Sequence, residues 1–400
     1  MKYILVVGDG MSDLPVKALG GKTPLETAQT PNMDFLASNG IAGKFQTIKD
    51  GFGGGTDIGH FSIFGLSLKK EYTGRAPIEA AAMGIELAPN DIAIRCNLLN
   101  LEENCSKMGD YSAGHITSEE ASQLIRALQE KLGGNGVEFY AGVQYRHILV
   151  LREKYIPEVV TFPPHDFTGK DVASHMPKPK SAKGKETAQL MERLVRASWE
   201  VLRDHPVNKK RIKEGKLPAN SIWLWGQGIA PRVRTFNQMY GKSGAIITAV
   251  DILRGFATLL GLDFVKVQGA TGYFDTNWEG KADAGVKALE NHDFVLVHLE
   301  APDEAGHLGD PKKKTEMIEN LDKRVLTRIM KQMKEKKIDY RIVVMSDHDT
   351  PVETKGHGDG PVPFALWDSR ETKNRKLKFC EKNANDGLLQ RSIMEELFSK

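Results

Sequence analysis

Three continuous apolar runs, residues 3–7, 294–299 and 341–345, each stop abruptly at acidic or histidine residues. Apolar runs without period-two alternation predict strands buried on both faces. The first closes at Asp9, the second at the segment from Glu300 to His307, and the third at Asp347-His348. Helical patterns over 281–290 and 314–334 lie between them. Strands alternating with helices predict an α/β fold with a mainly parallel sheet and crossover helices. Sites in open α/β sheets form at the carboxyl ends of the strands, so clusters distant in sequence are expected to converge there.

The middle of the chain has a different texture. Residues 106–217 hold helical patterns over 118–132 and 182–205, apolar strands over 136–142 and 147–152, and proline-rich links at 162–165 and 177–180. This predicts a smaller α+β domain inserted into a main domain made of 1–105 and 218–400. A length of 400 residues fits two domains. Charge adds an exclusion: 55 Lys+Arg against 52 Asp+Glu is too balanced for a nucleic-acid or anionic-membrane partner. Cys96, Cys105 and Cys380 lack CxxC spacing, which argues against a disulfide framework and fits a reducing compartment. The opening apolar run ends too early for a signal sequence and no run approaches the length of a bilayer span, so a cytoplasmic address is expected.

Candidate chemistry gathers at the strand ends. Asp303 and His307 are four residues apart, so a helix there puts both on one face, where they can grip a cation or merely form a surface pair. An ionised Asp347 beside His348, directly off a buried strand, needs a partner, and a divalent metal is a good one. His357 lies among glycines that suit a water-exposed loop or a close metal approach, and Asp9 reads as a turn aspartate or a ligand. Residues 53–60, Gly-Gly-Gly-Thr-Asp-Ile-Gly-His, lead into an apolar helical segment. A helix N-terminus there offers free N–H groups to a phosphate, with Thr56 a nucleophile, the N-cap of a helix reaching Phe64, or both. A donor inventory of carboxylate and imidazole without thiolate suits manganese or zinc, with cobalt, iron or magnesium as alternatives. Two such ions would polarise phosphoryl oxygens and stabilise in-line displacement.

These segments resemble the cofactor-independent phosphoglycerate mutases of the archaeal type, within the alkaline phosphatase superfamily. The matching text includes residues 6–11, 20–26, 30–34, 72–77, 95–97, 269–273, 301–307 and 346–348, together with His357. The resemblance implies an alkaline-phosphatase-like core with an inserted domain. It implies Asp9, Thr56, Asp347 and His348 as ligands of one divalent metal, and Asp303, His307 and His357 as ligands of the other. It further implies transient phosphorylation of Thr56 and transfer of phosphate between the 3- and 2-positions of glycerate, with neither bisphosphoglycerate nor a nucleotide as cofactor. Threonine stands at 56 where such mutases usually present serine, and its methyl group stiffens χ1.

A small phosphorylated substrate calls for guanidinium forks. Arg75, Arg95, Arg146 and Arg254 are the candidates, with His115 and His147, while Asp57 and His60 are candidates for orienting the nucleophile loop. The alternative readings are a homoserine kinase of the same branch, which the segments 204–208 and 223–225 resemble, and a metal-dependent phosphatase or phosphonate hydrolase. A non-catalytic binding protein is the reading from another class, and it would not need the nucleophile.

Overall fold

The computed structural model describes residues 1–49 and 51–399. The three predicted runs form the strands Lys2–Gly8, Phe294–Leu299 and Tyr340–Met345. They are immediate neighbours: Lys2–Gly8 pairs in parallel with Phe294–Leu299 on one side and Tyr340–Met345 on the other. Gly8 faces Leu299 and Val7 faces Met345, so this register brings Asp9, Glu300 and Asp347 to one edge of the sheet. The sheet has seven strands in the order Asp263–Val265, Gly244–Ile247, Phe294–Leu299, Lys2–Gly8, Tyr340–Met345, Val362–Asp368, Ile41–Phe45. Within it only Val362–Asp368 runs against the rest.

Helices cover both faces, which is why the central strands are apolar throughout. Ile4, Val6, Val295, Val297, Ile342 and Val344 pack with Trp278, Val286, Met317, Leu321 and Ile329. On the other face the helix Asp251–Leu260 lies along Gly244–Ile247, and Phe236 stacks on Phe294 with ring centroids 5.0 Å apart. The predicted helix 314–334 forms as Pro311–Asn320 and Thr327–Glu335, joined by a π-turn at Leu321–Leu326. Asp322 within that turn is buried and accepts from the Met33 amide at 2.8 Å and from Asn32 Nδ2 at 2.8 Å, which ties down the start of the helix Pro31–Asn39.

The chain divides into two compact units, Thr73–Arg232 and the remainder. The inserted unit is therefore wider at both ends than the expected 106–217. The reason is strand pairing. Ile92–Glu102, an apolar run that reads like a core strand, joins the antiparallel sheet of the insert, pairing with Arg146–Leu151, Ser221–Ile229 and Lys107–Asp110. Helix Ser118–Leu132 forms as predicted, opened by a capping box from Thr117 and Glu120, and Lys185–Arg203 forms within the predicted 182–205. Both supply apolar stripes to the core of the unit, where Trp223 and Trp225 are buried.

Candidate metal centre

Asp9, Asp347 and His348 directly follow strands, Asp303 and His307 lie on the helix after one, and Thr56 and His357 sit beyond longer loops. Asp9 follows Lys2–Gly8, and Gly10 beside it has a left-handed φ of 55°. A Cβ on Gly10 would lie 2.3 Å from Asp303 Oδ1, so only glycine lets the two loops close on each other. Asp303 and His307 lie on the helix Ala301–Leu308, where the spacing of four brings His307 Nε2 to 3.1 Å from Asp303 Oδ2. Helix Thr56–Ile63 starts at Thr56, with Gly55 as its N-cap and no side-chain capping bond. The N-cap reading of Thr56 therefore fails: the residue lies one position inside, and its hydroxyl donates to Asp9 Oδ2 at 3.4 Å. A Cβ on Gly59 would meet the Asp347 carbonyl at 2.6 Å, so the helix rests directly against the end of Tyr340–Met345.

Two donor groups result. In the first, His307 Nδ1 donates to the Lys355 carbonyl at 2.9 Å and His357 Nδ1 to the Gly54 carbonyl at 3.2 Å. Carbonyls only accept, so both rings carry a hydrogen on Nδ1 and turn Nε2 inward, the two Nε2 atoms 3.1 Å apart and beside Asp303. In the second, His348 Nε2 lies 3.1 Å from Asp9 Oδ1 and 3.7 Å from Asp347 Oδ2. The two meet at Asp303, which also forms a cluster with His348 and His357.

The electrostatics are those of charges crowded out of water. Burial alone would raise Asp9, but the imidazoles of His298 and His348 outweigh it and hold this carboxyl well below its ordinary range. Asp347, also buried and facing Asp9, is pushed well above it. Burial would lower His348, yet Asp347 and Asp9 raise it to about 10, while the Asp303 carboxylate, accepting from His307, raises that ring to about 9. Six buried atoms here lack a hydrogen-bond partner: Asp9 Oδ1, His60 Nε2, His298 Nε2, Glu300 Oε2, Asp347 Oδ2 and His348 Nε2. Each orphan costs roughly 1–3 kcal/mol unless something else satisfies it. Carboxylate oxygens and imidazole nitrogens that converge without thiolate fit divalent cations, which would displace the ring hydrogens. All seven sequence-predicted ligand positions lie in this centre.

Asp57 is held by the Tyr72 hydroxyl at 2.6 Å, and His60 Nδ1 donates to the Thr56 carbonyl at 2.8 Å, so both brace the helix that begins at Thr56. Sequence reasoning passed over His298, Glu300 and Lys314. The available signal was a histidine inside an otherwise apolar strand. Arg254 is engaged by Asp251 at 2.9 Å and by the ring of Phe264.

In the inserted unit, Arg75 and Arg95 each place Nε 2.9 Å from one oxygen of Glu79. Burial depresses Arg95 to about 10, Arg75 and Arg146 adding to the effect against Glu79. Arg146 and His147 are consecutive on a strand and point to opposite faces. Arg146 is opposite Asn97, whose side chain falls on the Arg95 face, whereas His147 pairs with Cys96. His147 thus faces away from the arginines, and burial drops it to about 3. His115 stands in an exposed loop. Of the six cationic candidates, the fold gathers Arg75, Arg95 and Arg146.

Glu79 makes this cluster pH-dependent. Burial would raise its carboxyl, but Arg95 and Arg75 pull it below the ordinary 4.5. Stabilisation from a lowered carboxyl is complete above the unfolded value and is lost as pH falls through the folded one. Glu79→Gln is expected to lose about 2 kcal/mol at pH 7. Urea unfolding should show that gap shrinking only below pH 4.5.

Residues 37–208 match the family described as 2,3-bisphosphoglycerate-independent phosphoglycerate mutase, and residues 178–383 match type I phosphodiesterase / nucleotide pyrophosphatase. The chain is 46% identical over 390 residues to a 2,3-bisphosphoglycerate-independent phosphoglycerate mutase of Methanosarcina barkeri, covering 97% of this chain and 96% of that one. It belongs to the cofactor-independent phosphoglycerate mutases.

Among solved structures, a Pyrococcus horikoshii protein superposes with a TM-score of 0.81 at 31% identity, covering 100% of this chain and 98% of its own. A cofactor-independent phosphoglycerate mutase of Thermoplasma acidophilum superposes at 0.66 with 27% identity, covering 99% and 98%. Family membership makes the chain an isomerase and agrees with the mutase reading of the sequence; the kinase and phosphatase alternatives gain nothing from it. The segments that suggested the kinase have a packing explanation. Trp223 and Trp225 are core residues, and Asn208 is buried with its amide bonded to the Leu202 and Ala219 carbonyls. Among the described residues no helix is long and apolar enough to cross a membrane.

Proposed function

We propose that this chain interconverts 3-phosphoglycerate and 2-phosphoglycerate through a phosphoenzyme on Thr56, with two divalent ions, manganese or zinc, held by Asp9, Thr56, Asp347 and His348 and by Asp303, His307 and His357. The observation that carries the reading is the Thr56 hydroxyl, at the start of a helix without a side-chain cap and aimed at Asp9. The first amides of that helix lack intrahelical acceptors and suit a phosphate. When bound, the ions would neutralise phosphoryl oxygens and lower the proton affinity of the hydroxyl.

Thr56 Oγ1 attacks phosphorus, the bond from phosphorus to the 3-oxygen of glycerate breaks, and the departing oxygen takes up a proton. The 2-hydroxyl of the same glycerate then attacks phosphothreonine, and Thr56 recovers its hydroxyl. We assign recognition of the anionic glycerate to Arg75, Arg95 and Arg146, because a pair of guanidiniums fixed through Nε by Glu79 is pre-oriented for a carboxylate or phosphate. In an assay coupled to consumption of 2-phosphoglycerate, purified protein should turn over 3-phosphoglycerate with Mn²⁺ and without bisphosphoglycerate, and stop with chelator. Turnover of homoserine with ATP, and none of 3-phosphoglycerate, would overturn the reading.

A further inference from the structure

A cavity lies at the edge of the seven-stranded sheet opposite the candidate metal centre. Asp9 and Asp347 follow the carboxyl ends of their strands, whereas Tyr340 opens Tyr340–Met345 at its amino end, level with Lys2. On the antiparallel neighbour, Trp367 stands opposite Ile342. Tyr340 and Trp367 wall a cavity of about 860 Å³ together with Phe35 from the helix Pro31–Asn39, Met330 and Ile338. Small-molecule pockets run from roughly 300 to 1,000 Å³, so the space suits a ligand and not merely water. Phe35 and Tyr340 both meet Trp367 edge to face, with ring centroids 5.1 and 5.7 Å away. Trp367 Nε1 donates to the Glu371 carbonyl at 2.9 Å, which fixes the plane of its ring. The aromatic wall is therefore in place before any ligand arrives.

Three polar features narrow the ligand. Lys331, Lys334 and Lys337 line the same cavity. Among the described residues Lys334 and Lys337 form no ion pair, and Lys331 has a long contact of 3.9 Å with Glu335. Asp339 also lines the cavity, and among the described residues its carboxylate makes no ion pair or side-chain hydrogen bond. Tyr340 is only 4% exposed, yet its hydroxyl has no hydrogen-bond partner among the described residues. An unpaired hydroxyl in so buried a side chain is costly, and an acceptor on a ligand in the cavity would remove that cost.

We propose that this cavity binds a nucleoside phosphate, with the base against Trp367, the phosphate on Lys334 and Lys337, and a ribose hydroxyl on Asp339. Every base has a π-face, so an aromatic wall accepts any of them. Lysine ammonium groups on flexible stems hold phosphate as point charges. The carboxylate accepts from ribose hydroxyls and would repel a ligand bringing only negative charge to that point. A purely apolar ligand would leave the lysines and Asp339 without partners, and inorganic phosphate would leave the aromatic wall bare. None of the residues assigned to the two ions or to glycerate lines this cavity, so the site stands apart from the mutase reading.

The test is isothermal titration calorimetry of the Mn²⁺-loaded protein with AMP, adenosine and ribose 5-phosphate, for the wild type, Trp367→Leu and the double variant Lys334→Ala with Lys337→Ala. The wild type should bind AMP, with adenosine and ribose 5-phosphate each at least about tenfold weaker. The double variant should bind AMP at least about tenfold more weakly, with its circular dichroism and thermal midpoint unchanged. Trp367→Leu should bind AMP no more tightly than ribose 5-phosphate. Both lysines are exposed, so the double variant keeps the test open if Trp367→Leu does not fold. No binding of AMP up to about 5 mM, or equal binding by wild type and double variant, would overturn the proposal. So would a concentration-dependent dimer that Phe35→Ser dissociates, because a second copy of the chain would then be the occupant.

Discussion

Thr56→Ala should lower kcat for mutase turnover by at least about a thousandfold, because removing the proposed nucleophile removes the covalent route itself. The fold should hardly notice. Thr56 is not the cap of its helix and makes one long hydrogen bond, to Asp9 at 3.4 Å. The stability change should therefore stay within about 1 kcal/mol. Thr56→Ser separates the hydroxyl from the methyl: with the nucleophile kept and χ1 freed, it should retain activity within about tenfold of wild type. Steady-state kinetics on the two variants, with thermal unfolding alongside, checks both statements. Equal loss in both would mean that the methyl contact, and not the hydroxyl, matters.

Lys314→Met should be the most damaging substitution outside the proposed ligands. Lys314 is wholly buried, and Nζ uses its three donors on the Ser12 carbonyl at 2.9 Å, Asp13 Oδ2 at 2.7 Å and the Thr350 carbonyl at 2.8 Å. Thr350 in turn donates to Asp303 Oδ1 at 2.5 Å. The lysine thus clamps the loop after Asp9 to the loop after His348, and both loops carry the donors. Removing one partner of a buried ion pair strands the other, at a cost of about 3–5 kcal/mol. Asp13→Asn added to Lys314→Met should recover part of the stability, because it removes the stranded charge, but not the activity, because the clamp stays broken. Denaturant unfolding and turnover of the single and double variants check this. Full activity in the single variant would show that the loops hold their places without it.

The parts of this centre that were legible in the sequence are those with local signals. Asp9, Asp303 and Asp347 each follow an apolar run, and the rule that sites form at strand ends turns three distant segments into one place. Asp303 and His307 could be paired because a spacing of four is meaningful on a helix. The helix at Ser118–Leu132 is bounded by a capping box and so could be placed to the residue. Non-local information was out of reach. Ile92–Glu102 looks like any buried strand, and only its pairing with Arg146–Leu151 and Ser221–Ile229 assigns it to the insert. Arg146 and His147 are equally cationic candidates in the sequence, and the parity of one strand separates them. His298 is a single polar letter in an apolar run, and its neighbour Asp9, 3.1 Å away, is visible only in the fold. The tautomers of His307 and His357 likewise depend on carbonyls 48 and 303 residues away.

The most direct test of the central claim is to mix the Mn²⁺-loaded enzyme with 3-phosphoglycerate carrying labelled phosphate, quench with acid within one turnover, and map the label by peptide mass spectrometry. The account predicts label on Thr56 while 2-phosphoglycerate accumulates, and no protein-bound label in Thr56→Ala. Formation of 2-phosphoglycerate with the label on another residue, or sustained by Thr56→Ala at the wild-type rate, would contradict it.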